Sequence, residues 1–228
     1  MNSAVLSPHI SSLFAPEVVA AELRTPGDPA LLLPAEAVYL GRAVAKRAQE
    51  FAAGRLCARR ALSEFGIVDF PIQAAPDRSP VWPPSMVGSI THTAGIGAAA
   101  VARRGQVKAL GLDIEVVGDV KAEIWPSICL TAEVAWLNSI PVIEQAAAAA
   151  LIFSAKEAFY KCQYPLVQER LDFHEARIEA LEWGVSRGQF QVHATSSFAV
   201  TAHTTMPLRG QYLFQDGFVM TGISLSAA

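Results

Sequence analysis

Val107-Lys108-Ala109-Leu110-Gly111-Leu112-Asp113-Ile114-Glu115-Val116-Val117 is the stretch from which the rest of this chain is read. Apolar Leu110, Leu112, Ile114 and Val116 alternate with Gly111, Asp113 and Glu115, the two-residue period of a strand with one packed face. Asp113 and Glu115, at i and i+2, project together from the other face. Further on, residues 143–162 are Ala-rich and free of Gly and Pro, which predicts the best helix of the chain, stopped by Pro165. A strand carrying two acids is therefore followed by a long helix, and that helix carries Lys156, Glu157 and Lys161.

Outward from this pair, helices and strands interleave in both halves. From Ala43 to Phe65, Val44, Ala48, Phe51, Cys57, Ala58, Ala61, Leu62 and Phe65 recur at helical spacing, and Gly66 sits where a C-terminal cap belongs. Residues 66–87 hold five prolines and read as an irregular connection. Gly88-Ser89-Ile90-Thr91-His92 follows as a turn, then Ala94 to Ala102 as a strand of small residues. Thr131 opens a helix with Glu133 in its first turn. Near the C-terminus, 189–194, 199–204, 211–214 and 218–225 read as antiparallel strands, with Gln215-Asp216-Gly217 as a hairpin turn. Residues 1–40 predict a strand or two. The fold class is α/β (α+β), with a long helix beside several strands in each half and no strong sequence repeat.

The chain has 228 residues, 52% of them hydrophobic, with 18 Lys plus Arg against 21 Asp plus Glu, a net charge of -3. This excludes a disordered chain and an extended basic nucleic-acid face. Three cysteines without paired spacing predict a reducing compartment. No apolar run approaches the ~20 residues needed to span a bilayer, and the N-terminus does not read as a signal peptide. A cytoplasmic protein without a membrane span is expected. The charge is uneven, however: residues 1–108 hold 11 bases and 8 acids, and residues 109–228 hold 7 and 13. Arg42, Lys46, Arg47, Arg55, Arg59 and Arg60 lie close together with Glu50 as the only acid among them, a candidate anion site.

Each candidate also has a bland reading. Two carboxylates on one half-buried face repel and call for a cation, and magnesium takes one or two protein carboxylates and leaves room for phosphate. Asp113 and Glu115 equally suit a solvated strand face. Glu157 is a third ligand or a general base, or else part of a Ser154-x-x-Glu157 capping box or an i,i+4 pair with Lys161. His92, next to hydroxyls, suits an anion, or is structural. Arg55 and Arg59, one turn apart, suit phosphate or a solvated helix face. No Walker loop, dinucleotide fingerprint or kinase signature is present.

Gly111-Leu112-Asp113-Ile114-Glu115, followed by Phe153-Ser154-Ala155-Lys156-Glu157-Ala158-Phe159-Tyr160-Lys161, resembles the signature pair of the surfactin-type 4'-phosphopantetheinyl transferases. Gly88-Ser89-Ile90-Thr91-His92 is similar to the family's upstream motif. Glu50-Phe51-Ala52-Ala53-Gly54-Arg55-Leu56-Cys57-Ala58-Arg59 and Ser79-Pro80-Val81-Trp82-Pro83 are similar to its enterobactin-synthase branch. The resemblance covers about residues 42–165, with Phe153 where many members have Trp and Thr91 where others have Ser. Nothing in 1–40 or 166–228 is matched.

The resemblance implies a phosphopantetheinyl transferase fold: two similar subdomains related by a pseudo-twofold, each a long helix on a mostly antiparallel sheet. Residues 1–108 would carry the coenzyme A phosphate and adenine contacts, residues 109–228 the magnesium-binding acids and catalytic helix, with coenzyme A in the cleft between them. The implied reaction moves the phosphopantetheine arm of coenzyme A onto a serine of an apo acyl, peptidyl or aryl carrier protein, with Mg²⁺, releasing 3',5'-ADP. Asp113, Glu115 and Glu157 would bind the metal, Asp113 also meeting the diphosphate. Glu157, or a water on the metal, would take the serine proton, and Lys161 would assist it. Lys156 and Lys161 would neutralise diphosphate charge. Arg47, Arg55, Arg59, Thr91 and His92 would contact coenzyme A phosphates, and Arg78, Ser79 and Pro80 would lie near the adenine. A monomer is expected. The alternatives are a Mg²⁺-dependent phosphoester or diphosphate hydrolase and a non-catalytic coenzyme A-binding module. Whether the carriers serve fatty-acid, siderophore or polyketide synthesis stays open.

Overall fold

Alanine and glycine in a strand allow a helix to come close, and both halves of this chain use that. The computed structural model describes residues 3–93, 95–194 and 207–227. The chain divides into two compact units, Met1–Leu110 with Ser226–Ala228, and Gly111–Leu225.

In the first unit, β1 (Val5–Leu6), β2 (Val19–Leu23), β3 (Met86–Thr93) and β4 (Ile96–Arg103) form an antiparallel sheet in the order β1-β2-β4-β3. Short helices α1 (Pro8–Ser11) and α2 (Pro34–Ala37) precede the long α3 (Ala45–Ser63). Strand β4 is buried from Ile96 to Ala102. Its small side chains let α3 settle so near that a Cβ on Gly97 would lie 2.6 Å from that of Ala53. Cys57, Ala58, Ala61 and Leu62 of α3 close the core against Ile72, Met86 and Val101.

In the second unit, the sheet runs β5-β9-β8-β7-β6. Its strands are β5 (Val107–Val116), which starts before the unit boundary, β6 (Ala176–Ala180), β7 (Arg187–Ala194), β8 (Leu208–Gln215) and β9 (Phe218–Ser226). Helices α4 (Trp125–Ile128) and α5 (Thr131–Ser139) lead into α6 (Val142–Val167). Fully buried Leu112, Ile114, Leu151, Phe159, Phe190 and Tyr212 make the core, each worth ~1.5–3 kcal/mol on removal from water.

The long helices and the strands of small and alternating residues form as their patterns predict. Asp216 and Gly217 both take positive φ, 53° and 79°, as a two-residue hairpin turn requires. Three readings are corrected. His92 lies in strand β3, paired with Gly97, rather than in a turn, because the prolines end by Pro84 and leave Met86–Thr93 free to pair. Helix α6 continues past Pro165. A proline near the end removes one intrahelical bond, and Gln168 at φ 55° terminates the helix, its N–H on the Tyr164 carbonyl at 2.8 Å. Strand β6 has no counterpart in the sequence reading. The expected strand 199–204 lies outside the described residues. Among the described residues no helix is long and apolar enough to cross a membrane.

Candidate active site

The acids are positioned by a missing side chain. Gly111, Asp113 and Glu115 share one face of β5, and α6 lies on it. A Cβ on Gly111 would overlap the Ala158 carbonyl and stand 2.8 Å from the Cys162 amide nitrogen. Only glycine allows the backbones so close. The helix is thereby held with Lys161 over Asp113: Nζ donates to Asp113 Oδ1 at 2.6 Å and to the Leu112 carbonyl at 3.3 Å. Asp113 is almost fully buried and Lys161 a quarter exposed, with side-chain accessibilities of 4% and 25%.

Glu115 and Glu157 feel the same neighbourhood. Burial, then the Asp113 charge, push the Glu115 carboxyl up to about 8; Lys161 opposes this, and Glu157 and Asp119 add to it. Burial also raises Glu157, against Lys161 and with Asp113. Lys161 thus acts on three carboxylates together. Such an excess of negative charge in a half-buried place is what a hard divalent cation relieves, through oxygen donors. Among the described residues no group of three or more His, Cys, Asp or Glu is gathered closely enough to hold an ion by itself. One or two carboxylates with room for substrate oxygens is the usual magnesium arrangement, so the donor chemistry fits that ion.

The capping reading of Glu157 falls away, while Lys161 still acts on its charge. Ser154 lies mid-helix, buried, bonded to Thr221 Oγ1 at 2.8 Å, so it caps nothing. Lys161 forms its ion pair with Asp113.

Lys156 is placed otherwise than expected. Its ammonium donates to the Ile128 carbonyl at 2.7 Å, Glu133 Oε2 at 2.7 Å and the Phe173 carbonyl at 2.8 Å, and its side chain is 2% exposed. Glu133 also accepts from the amides of Leu130 and Ile178, each at 2.7 Å. Its sequence position marks it only as a first-turn acid, and its long-range bonds have no local signature.

In the first unit, Arg47 on α3 is exposed, and its Nη1 donates to His92 Nε2 at 2.8 Å. The other ring nitrogen, Nδ1, lies 3.7 Å from Glu50 Oε2. Thr91, its neighbour in the strand, faces the opposite side and is buried at 4% exposure, so it does not join Arg47 and His92.

The expected single cluster of bases is dispersed. Arg59 pairs with fully buried Glu36 and donates to the Leu31 carbonyl at 2.7 Å. Arg60 pairs with Glu64 at 2.7 Å and Arg47 with Glu50 at 3.6 Å. The partners missing from the local run come from outside it, from α2 and from just past α3. Arg55 is also drawn inward: it donates to the Ile72 carbonyl at 3.1 Å, stacks 3.8 Å above the Phe51 ring, and is pushed down to about 10 by burial. Arg78, at φ 71°, stands exposed on a turn in which Ser79 bonds to Asp77 through both its amide and its hydroxyl, at 2.9 and 2.7 Å. Pro80 bridges Ala74 across that turn.

Comparison with known proteins bears on the family. The 4'-phosphopantetheinyl transferase N-terminal domain profile matches residues 35–102, and the 4'-phosphopantetheinyl transferase superfamily profile matches residues 109–215. The chain is 35% identical over 208 residues to 4'-phosphopantetheinyl transferase Svp of Streptomyces mobaraensis, covering 89% of this chain and 82% of that one. It is 37% identical over 202 residues to 4'-phosphopantetheinyl transferase PptT of Mycobacterium tuberculosis, covering 85% and 86%. Enterobactin synthase component D of Salmonella typhimurium matches at 30% over 184 residues, 78% and 72% of the two chains. The likeness to the enterobactin branch is thus weaker than the motifs suggest.

Proposed function

This chain belongs to the 4'-phosphopantetheinyl transferase superfamily, and from that premise we propose how its residues carry phosphopantetheine from coenzyme A to a carrier protein. The Asp113–Lys161 contact inside a half-buried carboxylate face carries the reading. It brings together a cation and several acids, the charges that binding a diphosphate and its counter-ion calls for.

The carrier serine oxygen bonds to the phosphorus bearing the pantetheine arm. The phosphoanhydride bond to that phosphorus breaks, and 3',5'-ADP leaves. Glu157 takes the serine proton: burial raises its carboxyl, which makes it a stronger base than an exposed glutamate. Lys161, held by Asp113, lies beside Glu157 to neutralise charge on the departing phosphate. One or two of the Asp113, Glu115 and Glu157 carboxylates would hold Mg²⁺ together with substrate oxygens, and the ion would supply further neutralisation of the diphosphate. Arg47 is the exposed arginine beside His92, and it exchanges its bond to the imidazole for one to a coenzyme A phosphate. Arg78 stands available to the nucleotide from its turn. Arg55 and Arg59 act through the fold.

The experiment combines the protein with coenzyme A, Mg²⁺ and an apo carrier, read by mass spectrometry of the carrier. A mass gain of one phosphopantetheine, with 3',5'-ADP formed, is expected. Coenzyme A cleavage without carrier modification would replace the reading with hydrolysis, and binding alone with a non-catalytic module.

A further inference from the structure

Glu133 and Lys156 take no part in the chemistry above, yet they form a heavily bonded buried ionic pair. An ammonium has three N–H bonds, and all three of Lys156 are used inside the fold, on Ile128, Glu133 and Phe173. A phosphate oxygen would have to displace one of them. Glu133 is buried to the same degree and accepts from the α5 entrance and from edge strand β6 as well. The pair joins α4, α5, β6 and the turn Phe173–Glu175 to α6, at the residue immediately before Glu157. Adjacent residues on a helix differ by a fixed rotation of about 100°, so fixing Lys156 fixes the direction of Glu157.

The first unit repeats this wiring. Glu36 accepts from the Leu33 amide at 2.9 Å and the Ile72 amide at 3.0 Å, and pairs with Arg59. Glutamate and cation are 23 residues apart in both units. Leu33-Pro34-Ala35-Glu36-Ala37-Val38-Tyr39-Leu40 and Leu130-Thr131-Ala132-Glu133-Val134-Ala135-Trp136-Leu137 agree at both leucines, the alanine and the glutamate, with an aromatic residue before the last leucine. The first unit lacks Asp113, Glu115 and Glu157. A wiring that recurs without the acids serves to seat a long helix, not to meet phosphate charge.

We propose that Glu133 is a positioning residue for the transfer reaction: through Lys156 it sets the seat of α6, and with it the placement of Glu157 and Lys161 against Asp113. Lys156 accordingly acts on Glu133 and not on the coenzyme A diphosphate. This rests on the transferase reading above.

The test separates turnover from coenzyme A binding, with binding measured by calorimetry and turnover by carrier labelling at saturating coenzyme A. Lys156→Met and Glu133→Gln are each expected to lower kcat about tenfold or more while the Kd for coenzyme A stays within about threefold. Lys156→Arg is expected to recover most of the turnover, since Arg59 shows that an arginine serves in this seat. If Lys156→Met does not fold, Glu133→Gln/Lys156→Met removes both charges together and carries the same comparison. A tenfold weaker Kd for Lys156→Met with kcat retained, or wild-type kcat in Glu133→Gln, overturns the proposal. A wild-type protein that labels no carrier overturns the transferase reading instead, so the two failures are distinct.

Discussion

Replacing Gly111 by alanine tests whether a backbone contact holds the site together. The added Cβ would lie 2.8 Å from Cys162 N and 2.9 Å from Ala158 C, where ordinary contact begins near 3.4 Å, and it would overlap the Ala158 carbonyl oxygen. Those atoms are helix backbone and have no rotamer to escape into. Helix α6 must retreat by at least about 0.6 Å at Cys162, and farther at Ala158. Overpacking of this kind costs ~1–3 kcal/mol or more. The same retreat carries away Lys161, next to Cys162, and lengthens its 2.6 Å bond to Asp113 to about 3.2 Å or more, the far end of hydrogen-bonding range. A displacement of ~1 Å in a catalytic constellation costs on the order of 100-fold in rate. Gly111→Ala should therefore lower the urea midpoint and reduce carrier labelling by about that factor. Gly105→Ala is the control, because a Cβ there meets nothing within 4 Å. A Gly111→Ala protein with the midpoint and kcat of the wild type would show that this backbone contact does not hold the site together.

Glu115 gives stability a pH dependence. Its carboxyl is raised from 4.5 to about 8 in the fold, so the folded chain keeps a proton that the unfolded chain releases, and stability falls as pH rises through that interval. Urea midpoints should decline less with Mg²⁺ present, and Glu115→Gln should flatten the decline; an unchanged slope in that variant would reject the assignment. Arg47→Ala should weaken coenzyme A more than 3'-dephospho-coenzyme A, whereas Arg55→Ala should lower the unfolding midpoint, and titration calorimetry beside urea melts separates them. Equal loss for both ligands would show that Arg47 does not meet the 3'-phosphate. Cys57, Cys129 and Cys162 are buried, and burial pushes the Cys129 thiol up to about 11 and the Cys162 thiol up to about 12. A thiol reagent should count no cysteines before urea and three after; rapid labelling of the native chain would contradict the packing.

The local part of this fold was legible. The alternation of 107–117 and the helical spacing of 43–65 are properties of neighbours in sequence, and the acids of β5 fell on one face as their spacing required. What stayed hidden depends on partners far along the chain. Six bases with one acid among them read as unpaired because Glu36 lies outside the run, and so Arg59 passed for a phosphate ligand. Lys156 passed for another because nothing near it announces Glu133, Ile128 and Phe173 as its acceptors. Pro165 predicts a helix stop by a rule that bears on helix interiors and yields near an end. The Leu-x-Ala-Glu pattern at 33–36 and 130–133 was the one distant signal available, and it shows as a repeat only once the two glutamates are seen in the same bonds.

That repeat has a corollary for how chemical identity is assigned along the chain. The residue after the seated cation is Arg60 in one unit and Glu157 in the other. The first is spent on a neighbouring surface glutamate one turn away, and the second stands over a strand of acids. One scaffold coordinate thus carries opposite charge in its two occurrences, and the specialisation of the two halves can be located at a single step past a shared joint.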